Sequence, residues 1–465
     1  MAALLERRKP VATILAQELE AGEGHKLKRS LGVWGITALG IGAIIGTGIF
    51  VLTGKAAATS AGPAVVLSFV VAGIVSALAA LCYAELASCV PVSGSAYTYV
   101  YATLGELLAW IVGWGLILEY ALGAATVAIG WSGYFADLLG ATFGLVIPKQ
   151  FSTNPFDGGI VNLPAALIIL LVTVLLVRGT QESSTVNKII VAIKLAVVVF
   201  FIVVGAGHVN AANWHPFAPF GVQGIINGAG LTFFAYIGFD AVSTSAEEVK
   251  NPGRDLPRGI IGSLAVCTVL YVIVSAILTG MVPYRLLDVP SPVSFALIHV
   301  GLGWAGAVVA LGVIAGLTTV LLVMLYGQSR VFFAMSRDGL LPGFFSRVHP
   351  TFRTPYLSSL AIGVVVATVA ALGRLDTVAN LVNIGTLAAF ALVSVGVVVL
   401  RRQQPDLKRT FRVPGSPVVP ILSALGALAL ILKGLPLQTM AAYLIWLVLG
   451  LVVYFGYSRR RSKVS

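Results

Sequence analysis

Lys194 lies in VNKIIVAIKLAVVVF, about two turns into an apolar run. An ammonium in such a setting is costly unless it is paired or discharged. Burial lowers lysine pKa values in general, so a lysine placed here suits proton exchange near neutral pH. A permanently charged one would instead stand in for a bound sodium ion. The plain alternative is a stem that snorkels to a polar edge, which is how we read Lys188. Glu119, in GWGLILEYALG, is equally deep. It pairs with a protonated group, lines a pathway or binds a basic substrate end. Asp240 reads as the cap of a helical segment that follows it. Glu85, in YAELA, reads as a structural partner, and Glu247 with Glu248 as a salt bridge at a membrane edge.

A second kind of chemistry is written in the backbone. GIGAIIGTGIF, from Gly40 to Phe50, places Gly42, Gly46, Thr47 and Gly48 in the middle of an apolar stretch. Each glycine weakens a helix by roughly 1 kcal/mol. Small-xxx-small packing between membrane helices explains Gly42 and Gly46 alone. It does not explain Gly-Thr-Gly together with a matching interruption at Phe233-Phe234-Ala235-Tyr236-Ile237-Gly238-Phe239-Asp240. Two helices that unwind midway expose N–H groups near Thr47 and Gly48. They also expose carbonyls near Ala43 to Ile45 and near Phe234 and Ala235. N–H groups at a helix N-terminus suit a carboxylate, and bare carbonyls suit an ammonium. The pair describes a site for a zwitterion such as a free amino acid. Phe234 and Met324 are candidates for its apolar wall.

These groups need elements to hold them, and the composition says which. Of 465 residues, 58% are hydrophobic and 10% are charged, against about 25% charged in soluble proteins. The chain reads as an all-α membrane protein. Turn chemistry at Ala61-Gly62-Pro63, Asn154-Pro155, Asn251-Pro252-Gly253 and Pro414-Gly415 divides it. The resulting twelve spans are 32–54, 62–90, 104–140, 160–178, 185–207, 224–248, 258–281, 304–330, 355–373, 376–400, 417–434 and 439–458. Residues 1–31 form a charged tail, with an amphipathic stretch at Val11–Leu19 and no cleaved signal peptide. Of the 30 Lys and Arg, only Lys55, Lys149, Arg285, Arg374 and Lys433 fall outside when that tail is placed inside, and Lys194 falls within a span. The positive-inside rule then puts both termini in the cytoplasm of a cell whose plasma (inner) membrane holds the chain. The net charge of +12 thus reflects orientation, not nucleic acid.

The interrupted spans are the first and the sixth. They correspond if residues 32–207 and 224–400 are two five-helix repeats, the second inverted because five is odd. Interrupted helices at matching positions point to a transporter site at the midplane. Residues 401–458 supply two further helices, and 459–465 a basic tail. Cys82, Cys89 and Cys267 read as small buried hydrophobes. The five histidines are scattered, and no metal, cofactor or enzyme motif is present.

The stretches GIGAIIGTGIFVLTG, YAELASCVPVSGSAYTYVYATLGE and FFAYIGFDAVSTSAEEVKNPGRDLPRGI resemble the cationic amino acid transporter family of the amino acid–polyamine–organocation superfamily. SRDGLLP and RTFRVPGSPVVP fit as well. The resemblance spans nearly the whole chain. It implies the LeuT-like five-plus-five inverted repeat with discontinuous helices 1 and 6. It also implies substrate contact at Ile44, Ile45, Gly46, Thr47, Gly48, Phe234, Ala235 and Ile237. Lys194 is similar to the lysine of prokaryotic relatives, where its implied role is proton coupling; mammalian members have an uncharged polar residue there. A lysine near the site and a bulky Met324 disfavour a cationic substrate. The expected activity is proton-coupled symport of neutral, small L-amino acids. An amino acid exchanger or a cationic amino acid transporter without proton coupling, and a membrane sensor using the same site, are the alternatives. Whether an accessory subunit takes part is not legible.

Overall fold

The computed structural model describes residues 31–90, 95–179, 184–240, 242, 249–352 and 354–462. The tail with Val11–Leu19, the pair Glu247 and Glu248, the segment after Asp240 and the Lys188 side chain lie outside what is described.

Every described element is helical apart from isolated bridges. Seven helices are long and apolar enough to cross a membrane, and four more are shorter and apolar. With the helices numbered after the twelve spans the sequence predicts, span 1 is two pieces, Val33–Ile44 and a helical stretch from Gly48 that turns at Gly62 into span 2, Val65–Cys89. Span 3 is Glu106–Phe143, span 4 Leu163–Arg178 and span 5 Ser184–Ala206. Span 6 begins as Gly221–Thr232 and tightens into a 3-10 turn at Phe233–Tyr236. Spans 7 to 10 are Pro252–Met281, Gly303–Arg337, Tyr356–Leu372 and Leu375–Gln403. Val418–Gly434 and Leu437–Val453 complete the order as spans 11 and 12.

Several boundaries differ from the sequence reading. Span 7 starts at Pro252, so Arg254, Asp255 and Arg258 are helical and not in a loop; proline is at home in a first helical turn. Span 8 likewise carries Arg330 and Arg337 on its last turns. Two short helices, Ser95–Thr103 and Pro292–His299, fill connections expected to be irregular.

The helices end where local chemistry stops them. Asn162 accepts a hydrogen bond from the Ala165 N–H at the start of span 4, and Gly179 closes that span in a left-handed conformation (φ 78°). Hydroxyls within helices bond back to a carbonyl one turn earlier: Thr53 to Ile49 at 2.8 Å, Thr126 to Leu122 at 2.8 Å and Thr173 to Ile169 at 2.7 Å. In an apolar surround this satisfies the hydroxyl without another side chain.

Packing divides the bundle. Span 7 lies along spans 1 and 2, and the first part of span 6 packs on span 2. Spans 8 and 10 pack against the long span 3, and span 9 against span 4. Span 12 is seated on span 3 by stacked Trp114 and Trp446, whose indole N–H groups each donate to the other residue's carbonyl, at 2.8 and 3.1 Å. The start of span 1 is tied to the start of span 7 by the Lys250 N–H donating to the Leu31 carbonyl at 2.9 Å. Ser462, near the other end of the chain, donates to Glu106 at the start of span 3. These contacts mark one face of the bundle as the termini face.

Candidate functional site

Both expected interruptions exist. After Val33–Ile44 the backbone leaves the helical path at Ile45 (ψ 108°), and helical turns resume beyond Gly46. In span 6 the 3-10 turn ends at Ile237, which is extended (ψ 137°), and Gly238 adopts φ 114°.

The two interruptions meet. A Cβ on Gly48 would run into the backbone of Ala235, so the chains approach there as only glycine permits. Gly238 needs its left-handed φ and also faces the Ala43 carbonyl, 2.7 Å from where its Cβ would stand. Between the two, the Tyr271 hydroxyl of span 7 lies 2.9 Å from the Ile44 carbonyl and 3.0 Å from the Ala235 carbonyl. A phenol has one proton to donate. Two carbonyls competing for it retain capacity to accept another hydrogen bond.

On the other side of the first interruption, Thr47 and Gly48 open the second piece of span 1. Their N–H groups have no carbonyl one turn upstream on a continuous helix, because residues 45 and 46 have left it. The Thr47 hydroxyl is fully buried and without a partner among the described residues. Ile44, Ile45, Gly46, Thr47, Gly48, Phe234, Ala235 and Ile237 are all buried together.

Lys194 is 3% exposed, and its ammonium donates to the Gly42 carbonyl at 2.8 Å. Its stem lies on Gly316 of span 8, where a Cβ would come within 2.9 Å of Cγ. The charge therefore bears on the span 1 backbone immediately before the interruption. Further along the same stripe of span 8, Val320 faces Gly46, at 3.6 Å from a Cβ built there. One turn on comes Met324, which fills the space beside Gly123 of span 3.

Glu119 and Asp240 are brought into one polar cluster with Tyr83, Tyr120 and Thr386. Both carboxyl groups are buried. The segment Asp240 was expected to cap lies outside the described residues. Cys82, Cys89 and Cys267 are buried free thiols, and no group of His, Cys, Asp and Glu suited to a metal occurs among the described residues.

Comparison with known proteins now decides the family. A family model described as amino acid permease matches residues 31–456. The chain belongs to that family, within the amino acid–polyamine–organocation superfamily. The permease is 52% identical to the methylthioribose transporter of Bacillus subtilis over 463 residues, 99% of each chain. It is 52% identical to the branched-chain amino acid permease BcaP of the same organism, over 99% of this chain and 98% of that one. Cationic amino acid transporter 4 of Homo sapiens is 40% identical over 81% of this chain and 60% of its own. These relatives are transporters, and the permease is a multi-pass membrane protein.

Tyr271 is the residue that sequence reasoning missed. A tyrosine in an apolar run reads as core. The available signal was that a buried phenol hydroxyl in lipid must find an acceptor, and the interrupted spans are where carbonyls are free.

Proposed function

We propose that this permease carries neutral, small L-amino acids across the plasma (inner) membrane by proton-coupled symport with alternating access. In this reading the termini face is cytoplasmic, and the twelve spans form a five-plus-five inverted repeat with two added helices. The short helices Ser95–Thr103 and Pro292–His299 support the repeat: each follows the second span of its half.

The observation that carries the proposal is the junction at Tyr271. Carbonyls of spans 1 and 6 converge on one hydroxyl, 2.9 and 3.0 Å away, and the spare acceptor capacity matches an ammonium. Just beyond stand the N–H groups of Thr47 and Gly48 and the Thr47 hydroxyl, which has no partner among the described residues; these match a carboxylate. Substrate binding falls to Ile44, Ile45, Gly46, Thr47, Gly48, Phe234, Ala235 and Ile237. Lys194 takes the proton-coupling role because its ammonium holds the Gly42 carbonyl, two residues before Ile44. Loss of the proton would weaken that hold and loosen the backbone that receives substrate. Glu119 and Asp240 lie along the pathway. Met324 leaves little room for a long cationic side chain.

The test is uptake by purified protein in liposomes under an imposed pH gradient, with alanine, leucine, arginine and methylthioribose as separate substrates. Alanine should accumulate when the exterior is acidic. Lys194→Ala should lower gradient-driven uptake by at least about tenfold while leaving exchange of preloaded substrate measurable. Gradient-independent uptake equal in both proteins removes the coupling role. Uptake of methylthioribose without alanine overturns the zwitterion site, arginine uptake would favour a cationic carrier, and binding without accumulation would favour a sensor.

A further inference from the structure

Glu85 lies near the end of span 2 on the termini face and is 1% exposed. Both carboxylate oxygens are engaged. Arg401, at the end of span 10, donates through Nε to Oε1 at 2.8 Å and through Nη2 to Oε2 at 2.6 Å. The Val413 N–H donates to Oε2 at 2.7 Å. A second guanidinium, Arg409, stands 3.5 Å from Oε1. Its other nitrogens donate to the carbonyls of Leu400, Gln404, Pro405 and Leu407, which folds the connection between spans 10 and 11 around it. That folded strap also reaches span 7, where the Thr410 hydroxyl donates to the Gly253 carbonyl at 2.9 Å.

The opposite face offers a contrast. There, Lys55 of span 1 meets Asp288, in the connection after span 7, at 2.9 Å. These side chains are 22% and 46% exposed, and the ammonium reaches both carboxylate oxygens of Asp288, at 2.9 and 3.1 Å. An exposed pair separates at little cost, whereas parting Glu85 from its two guanidiniums strands a buried carboxylate and the buried Arg409, although Arg401 itself is 26% exposed.

We propose that the strap 401–413 is a fixed pivot, holding the ends of spans 2 and 7 to span 10 throughout the transport cycle, while the Lys55–Asp288 side opens and closes. The idea rests on the alternating-access reading above. Spans 1, 2, 6 and 7 pack as one group and span 10 belongs to the other, so the strap joins the two groups where they must stay in register. A contact as completely satisfied as that of Glu85 is unsuited to breaking once per turnover. A lever hinged there would place its largest excursion at the far face.

Two measurements test it, in a background of Cys82→Ala, Cys89→Ala and Cys267→Ala. First, a short thiol cross-linker joins Ser88→Cys to Phe411→Cys, a site where the serine hydroxyl lies 3.4 Å from the Phe411 carbonyl, or joins Lys55→Cys to Asp288→Cys. The first link should leave alanine uptake within about twofold, and the second should reduce it at least about tenfold, restored on cleaving the linker. Second, spin labels at Asn251 and Lys408 should keep one unchanged distance between acidic and neutral pH, whereas labels at Thr59 and Asp288 should shift. Reversible loss of uptake with the first link, a moving 251–408 distance, or no movement at either pair overturns the pivot. Absence of uptake for any amino acid, with the 59–288 pair still moving and the 251–408 pair still fixed, would overturn the transport reading and support the pivot.

Discussion

The junction of spans 1 and 6 and the strap around Glu85 are both buried and polar, and they are built in opposite ways. At the junction, backbone carbonyls face one hydroxyl and one ammonium, through Tyr271 and Lys194. Acceptors outnumber the protons of that hydroxyl, and the Thr47 hydroxyl has no partner among the described residues. At the strap, two guanidiniums and an N–H surround a single carboxylate. The first arrangement keeps hydrogen-bonding capacity in reserve for something that arrives and leaves. The second uses its capacity within the protein. Buried polar groups with spare capacity destabilise a fold. At the strap the Arg409 Nε also lacks a hydrogen bond among the described residues, but it stands 3.5 Å from a Glu85 carboxylate oxygen. What separates the two places is that the strap's leftover donor faces an opposite charge of the protein itself.

The comparison breaks most readily at Gly48. Gly48→Val would push a branched side chain into the Ala235 backbone and pry the two interruptions apart. Overpacking of this kind costs about 1–3 kcal/mol of stability. A displacement near 1 Å at a site of reaction costs about hundredfold in rate. Alanine uptake should therefore fall by about two orders of magnitude while the protein still purifies as a folded species. Near-normal uptake would mean that substrate does not use this crossing.

Tyr271→Phe removes the shared proton and leaves the Ile44 and Ala235 carbonyls without it. The expected stability loss is about 1–3 kcal/mol, the cost of an unsatisfied buried polar group. Alanine uptake should fall about tenfold with its dependence on the pH gradient intact, because Lys194 and Gly42 are untouched. If the gradient dependence disappears instead, the phenol belongs to the proton path and is not merely a backbone clamp.

Both sites differ in how far the chain announces them. The interruptions are local: Gly-Thr-Gly in one apolar stretch and an interior glycine followed by an aspartate in another have no use in a continuous helix. Lys194 is legible for the same reason, since one charge in a long apolar run demands a partner. Which partner it takes is not local, because Gly42 is 152 residues away. The strap is invisible in this sense. Arg401 and Arg409 read as orientation charges at the end of a span, and nothing near Glu85 names them. Their pairing, 316 residues apart for Arg401, is decided only when spans 2 and 10 pack. The short helices Ser95–Thr103 and Pro292–His299 escape for a different reason: eight or nine residues between longer apolar runs carry too few turns to show a period.

The smallest effect is expected at Arg401→Lys, and its profile matters more than its size. Lysine keeps the positive charge but offers a point contact where arginine offers a fork. Arg409 and the Val413 N–H remain on the carboxylate, so the charge of Glu85 is not abandoned. The loss should be about 1–2 kcal/mol, the difference between a bidentate and a single charged hydrogen bond, read as a modest fall in Tm. The KM for alanine and the pH-gradient dependence should both stay at their wild-type values, because the strap touches neither the crossing nor Lys194. A changed KM with an unchanged Tm would reverse the assignment, since a joint that shapes substrate affinity without supporting the fold is acting as part of the site.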